Sequence, residues 1–126
     1  MAQILVIDDE DLICRLADSA LRLFGHEVVT ASDGRKGVDL LERRPFDLLI
    51  TDVRMPGMNG LEVIKALHAL QLKTRVIVMG GDGSVPAFGA EAFARQVGAD
   101  CVLHKPFGMQ ELNAVVSSLV APAAGA

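Results

Sequence analysis

Tryptophan and tyrosine are absent from this chain, and its five phenylalanines are its only aromatic side chains. Its core must therefore be aliphatic, built from Val, Leu, Ile, Ala and Met. Apolar residues make up 51% of the 126 positions, enough to bury a full single-domain core. No apolar run approaches the roughly 18 residues that a membrane span needs. The N-terminus has neither the basic start nor the longer apolar stretch of an export signal. A cytoplasmic location without a membrane partner is expected. Basic clusters are also missing: beyond Arg43-Arg44 there is none, and the net charge is −4, which argues against nucleic acid as a partner. Cysteine is scarce. Cys14 falls in a helical pattern and Cys101 in a strand pattern. Both read as small buried apolar residues rather than a disulfide or a metal pair. His26, His68 and His104 show no ligand spacing. There is no internal repeat and no linker; residues 1–121 are expected to form one domain, and 122–126 of the alanine-rich end a disordered tail.

What the chain does have is a strict alternation of short apolar runs and amphipathic stretches. Gln3 to Ile7 is a continuous apolar strand, the mark of burial on both faces. A helix is predicted from Asp11 to Phe24, with Leu12, Leu16, Leu21 and Phe24 at helical spacing, an acidic first turn and Gly25 after its end. Glu27 to Ala31 is the second strand. Ser32-Asp33 can cap a helix over Gly34 to Arg43, and Pro45 closes it. Phe46 to Thr51 is the third strand, followed by a Pro56-Gly57 turn and a helix from Gly60 to Leu70. Arg75 to Met79 is the fourth strand. Past the Gly80 to Ser84 loop, Pro86 is placed to open a helix running to Val97. Gly98-Ala99-Asp100 turns into a fifth strand at Cys101, and Gly108 to Val120 is the last helix. Five strands alternating with five helices predict an α/β fold, a doubly wound five-stranded parallel sheet. Ligands on such sheets bind beyond the carboxyl ends of the strands.

Three of the runs end on charge that a core would reject. Ile4 to Ile7 runs into Asp8-Asp9, Leu48 to Thr51 into Asp52, and Cys101 to Leu103 into His104-Lys105-Pro106. If these strands are neighbours, carboxylates and one ammonium converge at one end of the sheet. Clustered carboxylates repel unless a cation neutralises them, and Mg²⁺ takes oxygen ligands. Each piece alone has a plainer reading. Asp8-Asp9 serves a helix N-terminus, Asp52 serves a turn, and Lys105 is a solvated lysine. Their coincidence at one sheet end is what points to a site. The loop Gly80-Gly81-Asp82-Gly83 lacks a following Lys-Ser/Thr and is no Walker motif.

With these residues in place the chain resembles the receiver domain of bacterial two-component response regulators, stand-alone type. The resemblance rests on Asp8-Asp9, on Thr51-Asp52-Val53-Arg54-Met55-Pro56-Gly57-Met58-Asn59-Gly60, on Gly98-Ala99-Asp100, and on Lys105-Pro106-Phe107. It covers residues 2 to about 121. It implies the flavodoxin-like strand order 2-1-3-4-5. It implies Asp52 as phosphoacceptor, taking a phosphoryl group from phosphohistidine on a sensor histidine kinase or a phosphotransfer protein. It implies Mg²⁺ held by Asp9 directly, by Asp8 mainly through water, by Asp52 and by the backbone carbonyl of Arg54. Lys105 would contact the phosphoryl group, and the Lys105–Pro106 bond would be cis. The backbone N–H of Gly81 is a further phosphoryl donor, and Arg54 and Asp82 sit where hydrolysis is tuned. The output would be contact with a downstream protein effector, from a signalling module rather than a turnover enzyme. The first helix would serve the kinase side. The face around the fourth helix, fifth strand and fifth helix, with Phe88, Phe93, Val102 and Met109, would serve the effector.

Two positions depart from the resemblance. The end of the fourth strand carries Gly80 instead of Thr or Ser, and the fifth strand carries Val102 instead of an aromatic residue. The hydroxyl and the ring that couple in the family are both missing, so Ser84 becomes a candidate source of a hydroxyl. The alternative is a degenerate receiver that binds partners without phosphorylation. A magnesium-dependent aspartyl phosphatase fits less well, because Asp8-Asp9 is not an Asp-x-Asp motif and there is no room for a cap domain. A receiver cut from a longer regulator or hybrid kinase is the remaining option.

Overall fold

Ten elements follow one another in a computed structural model that describes residues 1–81 and 83–120. They are β1 (Gln3–Ile7), α1 (Asp11–Leu23), β2 (Glu27–Ala31), α2 (Gly34–Arg43), β3 (Leu48–Asp52), α3 (Gly60–Ala69), β4 (Arg75–Gly80), α4 (Ala90–Val97), β5 (Cys101–His104) and α5 (Met109–Leu119). All strands pair in parallel, in the order β2-β1-β3-β4-β5. The expectation of a flavodoxin-like doubly wound sheet is met. The interior strands β1, β3 and β4 are almost wholly buried, whereas the edge strands β2 and β5 are only partly so. That explains why the interior strands read as unbroken apolar runs.

Side chains alternate between the two faces of the sheet. Ile4, Val6, Leu48, Ile50, Ile77, Met79 and Leu103 point to one side, where Cys14, Ala17, Ala20 and Leu21 of α1 and Leu112 and Val116 of α5 cover them. Leu5, Ile7, Leu49, Val76 and Val78 point to the other. There they meet Leu41 of α2, Val63, Ile64 and Leu67 of α3, and Ala94 of α4. Each fully buried Leu or Ile in these layers contributes about 1.5–3 kcal/mol. Among the described residues no helix is long and apolar enough to cross a membrane.

Side-chain caps mark the starts of α2 and α3. Asp33 accepts the N–H of Lys36 at 2.8 Å to start α2. Asn59 and Glu62 close a reciprocal capping box on α3, each at 3.0 Å. α1, α4 and α5 have no side-chain cap, and at α4 the expectation fails: it starts at Ala90, not at Pro86. Gly89 stands at φ +72°, outside the right-handed helical region, and the Pro86 carbonyl is engaged by His104 Nε2 at 2.9 Å. Most other boundaries fall within a residue of those predicted, though Phe46 lies two residues outside β3. The expected tail, 122–126, lies outside the described residues, as does the last position of the expected domain, 121.

The periodicity of α1 is also corrected. Leu12 is 65% and Leu16 53% exposed, and Phe24 lies at the rim. The face that packs on the sheet is the small-residue stripe Cys14, Ala17 and Ala20 with Leu21. Small residues let the helix approach strands that already carry bulky Ile and Val. Both cysteines are free, Cys14 buried and Cys101 half-buried. Burial first, then the charge of Asp8, pushes the Cys14 thiol up to about 11, so it behaves as a small apolar side chain.

Candidate phosphoacceptor and metal site

The strand order reverses between β1 and β3, because β2 lies on one side of β1 and all later strands on the other. That is the crevice where ligands bind in open α/β sheets. Ile7 pairs with Thr51, so the chain leaves both strands side by side at Asp8 and Asp52. β5 lies beyond β4, and its end is tied in by the N–H of Lys105 donating to the Gly80 carbonyl at 2.9 Å. The Lys105–Pro106 peptide is cis, as the resemblance implied.

The geometry brings the predicted charges together. Lys105 Nζ donates to Asp8 Oδ2 at 2.6 Å and lies 3.3 Å from Asp52 Oδ1. Asp8 is fully buried, and its other oxygen accepts the N–H of Glu10 at 2.9 Å. Asp52 is 6% exposed and accepts the N–H of Val53 at 3.0 Å. Asp9 is exposed, yet Asp8, Asp9 and Asp52 each offer an oxygen within 4.8 Å of the others. Three carboxylates thus face one ammonium. Hard oxygen donors with excess negative charge suit a hard divalent cation such as Mg²⁺.

Burial sets the electrostatics. It raises the Asp52 carboxyl from 3.8 to about 6, helped by the charge of Asp8 and opposed by Lys105. Burial likewise pushes Asp8 up, against the hydrogen bond from Lys105. For Lys105 burial alone would lower the ammonium's affinity for its proton; the hydrogen bond and charge of Asp8, with Asp52, outweigh it and move the group upward. Lys105 lies closer to Asp8, at 2.6 Å, than to Asp52, at 3.3 Å, so Asp52 is the less compensated of the two buried carboxylates.

The remaining predicted residues fall around this core. Arg54 is exposed in the loop after β3, and Gly81 is half-buried behind Lys105. Gly80 ends β4 and Val102 is half-buried on β5, packed with the α2–α3–α4 layer. Asp82 lies outside the described residues. Of the predicted effector face, Phe88 is 92% and Met109 47% exposed, whereas Phe93 and Val102 pack partly into the core. The histidines take no part: His26 Nδ1 accepts the N–H of Ala2 at 3.1 Å, and among the described residues the metal-capable cluster is carboxylate only.

Two residues to which the sequence assigns no role at the site also contribute. Glu10 Oε1 lies 3.6 Å from Lys105 Nζ; the run Asp8-Asp9-Glu10-Asp11 was its signal. Gly60 opens α3 against Asp52: a Cβ there would fall on the Asp52 carbonyl oxygen, and the Gly60 N–H donates to Val53 O at 3.0 Å. No sequence pattern shows that approach.

Comparison with known proteins agrees with this geometry. A family model for the response regulator receiver domain matches residues 4–117. The chemotaxis response regulator CheY4 of Vibrio cholerae superposes with a TM-score of 0.86 at 30% identity, covering 95% of this chain and 99% of that one. The alkaline phosphatase synthesis transcriptional regulatory protein PhoP of Bacillus subtilis is 33% identical over 94% of this chain and 48% of its own length. The transcriptional regulatory protein CpxR of Escherichia coli is 35% identical over 95% of this chain and 50% of its own. This chain spans about half the length of these two curated relatives. The chain belongs to the response regulator receiver domain family.

Proposed function

We propose that this chain is a phosphoacceptor in two-component signalling. It takes a phosphoryl group onto Asp52 from phosphohistidine of a sensor kinase or phosphotransfer protein, and signals through protein contacts. The observation that carries this reading is the Asp52 carboxylate, buried, 3.3 Å from the Lys105 ammonium and crowded by two further carboxylates. An Asp52 oxygen attacks phosphorus as the P–N bond to the donor imidazole breaks and the imidazole keeps the electron pair. With its carboxyl pushed up to about 6, Asp52 is mostly ionised near neutral pH and more basic than an ordinary carboxylate. Lys105 sits where it can follow charge from Asp8 and Asp52 onto a phosphoryl oxygen. Asp8, Asp9, Asp52 and the Arg54 carbonyl would hold Mg²⁺, which supplies charge neutralisation for a phosphoryl group entering an acidic crevice. The Gly81 N–H is a further donor, and Arg54 and Asp82 are the positions proposed to set the lifetime of the phosphoryl group. The chain is not a turnover enzyme in this reading.

A second reading, a phosphorylation-independent interaction module, is favoured by Gly80 and Val102, which supply neither hydroxyl nor ring. One experiment separates the two. The wild type and Asp52→Asn are incubated with acetyl phosphate and Mg²⁺ and weighed intact. A phosphoryl adduct that needs Mg²⁺ and is lost in the variant supports the first reading. No adduct, with partner binding intact in both proteins, supports the second.

A further inference from the structure

Gly80 leaves a gap at the end of β4, one residue beyond Met79, which pairs in register with Asp52. The gap is filled by a different residue. A Cβ built on Gly80 would overlap the hydroxyl oxygen of Ser84, with Val85 Cγ1 next at 3.3 Å. The Ser84 hydroxyl therefore occupies the volume that a side chain at position 80 would take. It is brought there by a tight turn in which the Ser84 N–H donates to Gly81 O at 2.9 Å and its hydroxyl donates to the same oxygen at 2.7 Å. The turn backs onto the site, since Gly81 lies against the Lys105 backbone and the Gly80 carbonyl accepts the Lys105 N–H.

We infer that Ser84 is a phosphoryl-contact residue, its hydroxyl replacing from the loop the one that position 80 lacks. The inference rests on Asp52 being the phosphoacceptor. In the unphosphorylated chain the hydroxyl is held on a neutral carbonyl that already accepts a second bond. A phosphoryl oxygen is an anionic acceptor, and a hydrogen bond to it is roughly twice as strong as one to a neutral carbonyl. The hydroxyl can turn to it while the Ser84 N–H keeps the turn closed. Ser84 donates a hydrogen bond only; no bond to Ser84 forms or breaks and no proton leaves it. The arrangement also makes positions 80 and 84 mutually exclusive, because both side chains claim one volume.

The test uses the full chain with acetyl phosphate and Mg²⁺, following incorporation and loss of the phosphoryl group by intact mass. Circular dichroism melting of each variant reports the fold. Ser84→Ala is expected to slow incorporation by roughly ten-fold or more, the usual size for losing one hydrogen bond to a charged group. Moving the hydroxyl in Gly80→Ser/Ser84→Ala is expected to restore most of the rate. Gly80→Ala/Ser84→Ala fills the volume without a hydroxyl and is expected to remain slow. Ser84→Ala with wild-type incorporation and lifetime overturns the inference. So does equal rescue by both double variants, which would make Ser84 a space filler. A wild type that takes no phosphoryl group, whereas its fold is intact, overturns the phosphoacceptor reading itself and this inference with it.

Discussion

Asp52→Asn is expected to make the metal-free chain more stable, although it removes the group on which the proposed function depends. The folded carboxyl is displaced from 3.8 to about 6, chiefly by burial and then by the charge of Asp8. At about 1.4 kcal/mol per pH unit, that displacement is a penalty of about 3 kcal/mol on the ionised folded state. The folded carboxyl holds its proton up to about pH 6, whereas the unfolded chain releases it near 3.8. The penalty is therefore fully present above the folded value. It fades as pH falls through that window, and is gone below the unfolded value. Asparagine keeps an oxygen for the Val53 N–H and carries no charge. Lys105 loses a neighbour but keeps Asp8 at 2.6 Å. The net gain at neutral pH is about 1–3 kcal/mol, or roughly 0.5–2 M in the urea midpoint for a domain of this size. Urea unfolding with EDTA, followed by circular dichroism because the chain has no tryptophan or tyrosine, measures it directly. The two proteins should converge in stability at acid pH. Added Mg²⁺ should narrow the gap at neutral pH, since a ligand of the folded state stabilises the wild type by mass action. An Asn variant less stable than wild type in EDTA at neutral pH would refute the electrostatic argument.

Other perturbations probe the same frame. Lys105→Met leaves the fully buried Asp8 without its cation and is expected to cost about 3 kcal/mol in urea unfolding, near the low end for a broken buried pair; an unchanged midpoint would mean that the pair contributes nothing. Gly60→Ala sets a Cβ on the Asp52 carbonyl, so it is expected to cost about 1–3 kcal/mol and to slow phosphoryl incorporation, whereas wild-type values for both would show that α3 yields freely. Asn59→Ala removes the capping box of α3 and should lower stability by about 1 kcal/mol, read from the thermal midpoint.

The alternation of elements was open to direct reading because its causes are local. β1, β3 and β4 are buried on both faces and so lack polar alternation, and Asp33 and Asn59 cap the helices that follow them. The acidic and basic residues at the strand ends stood out for the same reason: nothing local calls for Asp8, Asp52 or Lys105 at the close of an apolar run. The face of α1 was not legible. Leu12 and Leu16 make as good a helical stripe as Cys14, Ala17 and Ala20, and only the bulk of the opposing strands selects the smaller one. The start of α4 was missed because Pro86 suits a first helical turn by propensity, while the backbone of Gly89 and the His104 contact, 18 residues away, decide otherwise.

By itself, then, the sequence determined the fold class and the residue types at the sheet end, since both follow from burial patterns and charges along the chain. The tertiary structure decided what those charges do to each other. Residues 8, 52 and 105 are far apart along the chain, and only parallel register places the Lys105 ammonium between two carboxylates. Burial at that point, which no single strand possesses, is what raises the carboxyl of Asp52, the less compensated of the two. The folded backbone, through the Ser84 bonds to the Gly81 carbonyl, seats the Ser84 hydroxyl in the space that Gly80 leaves empty.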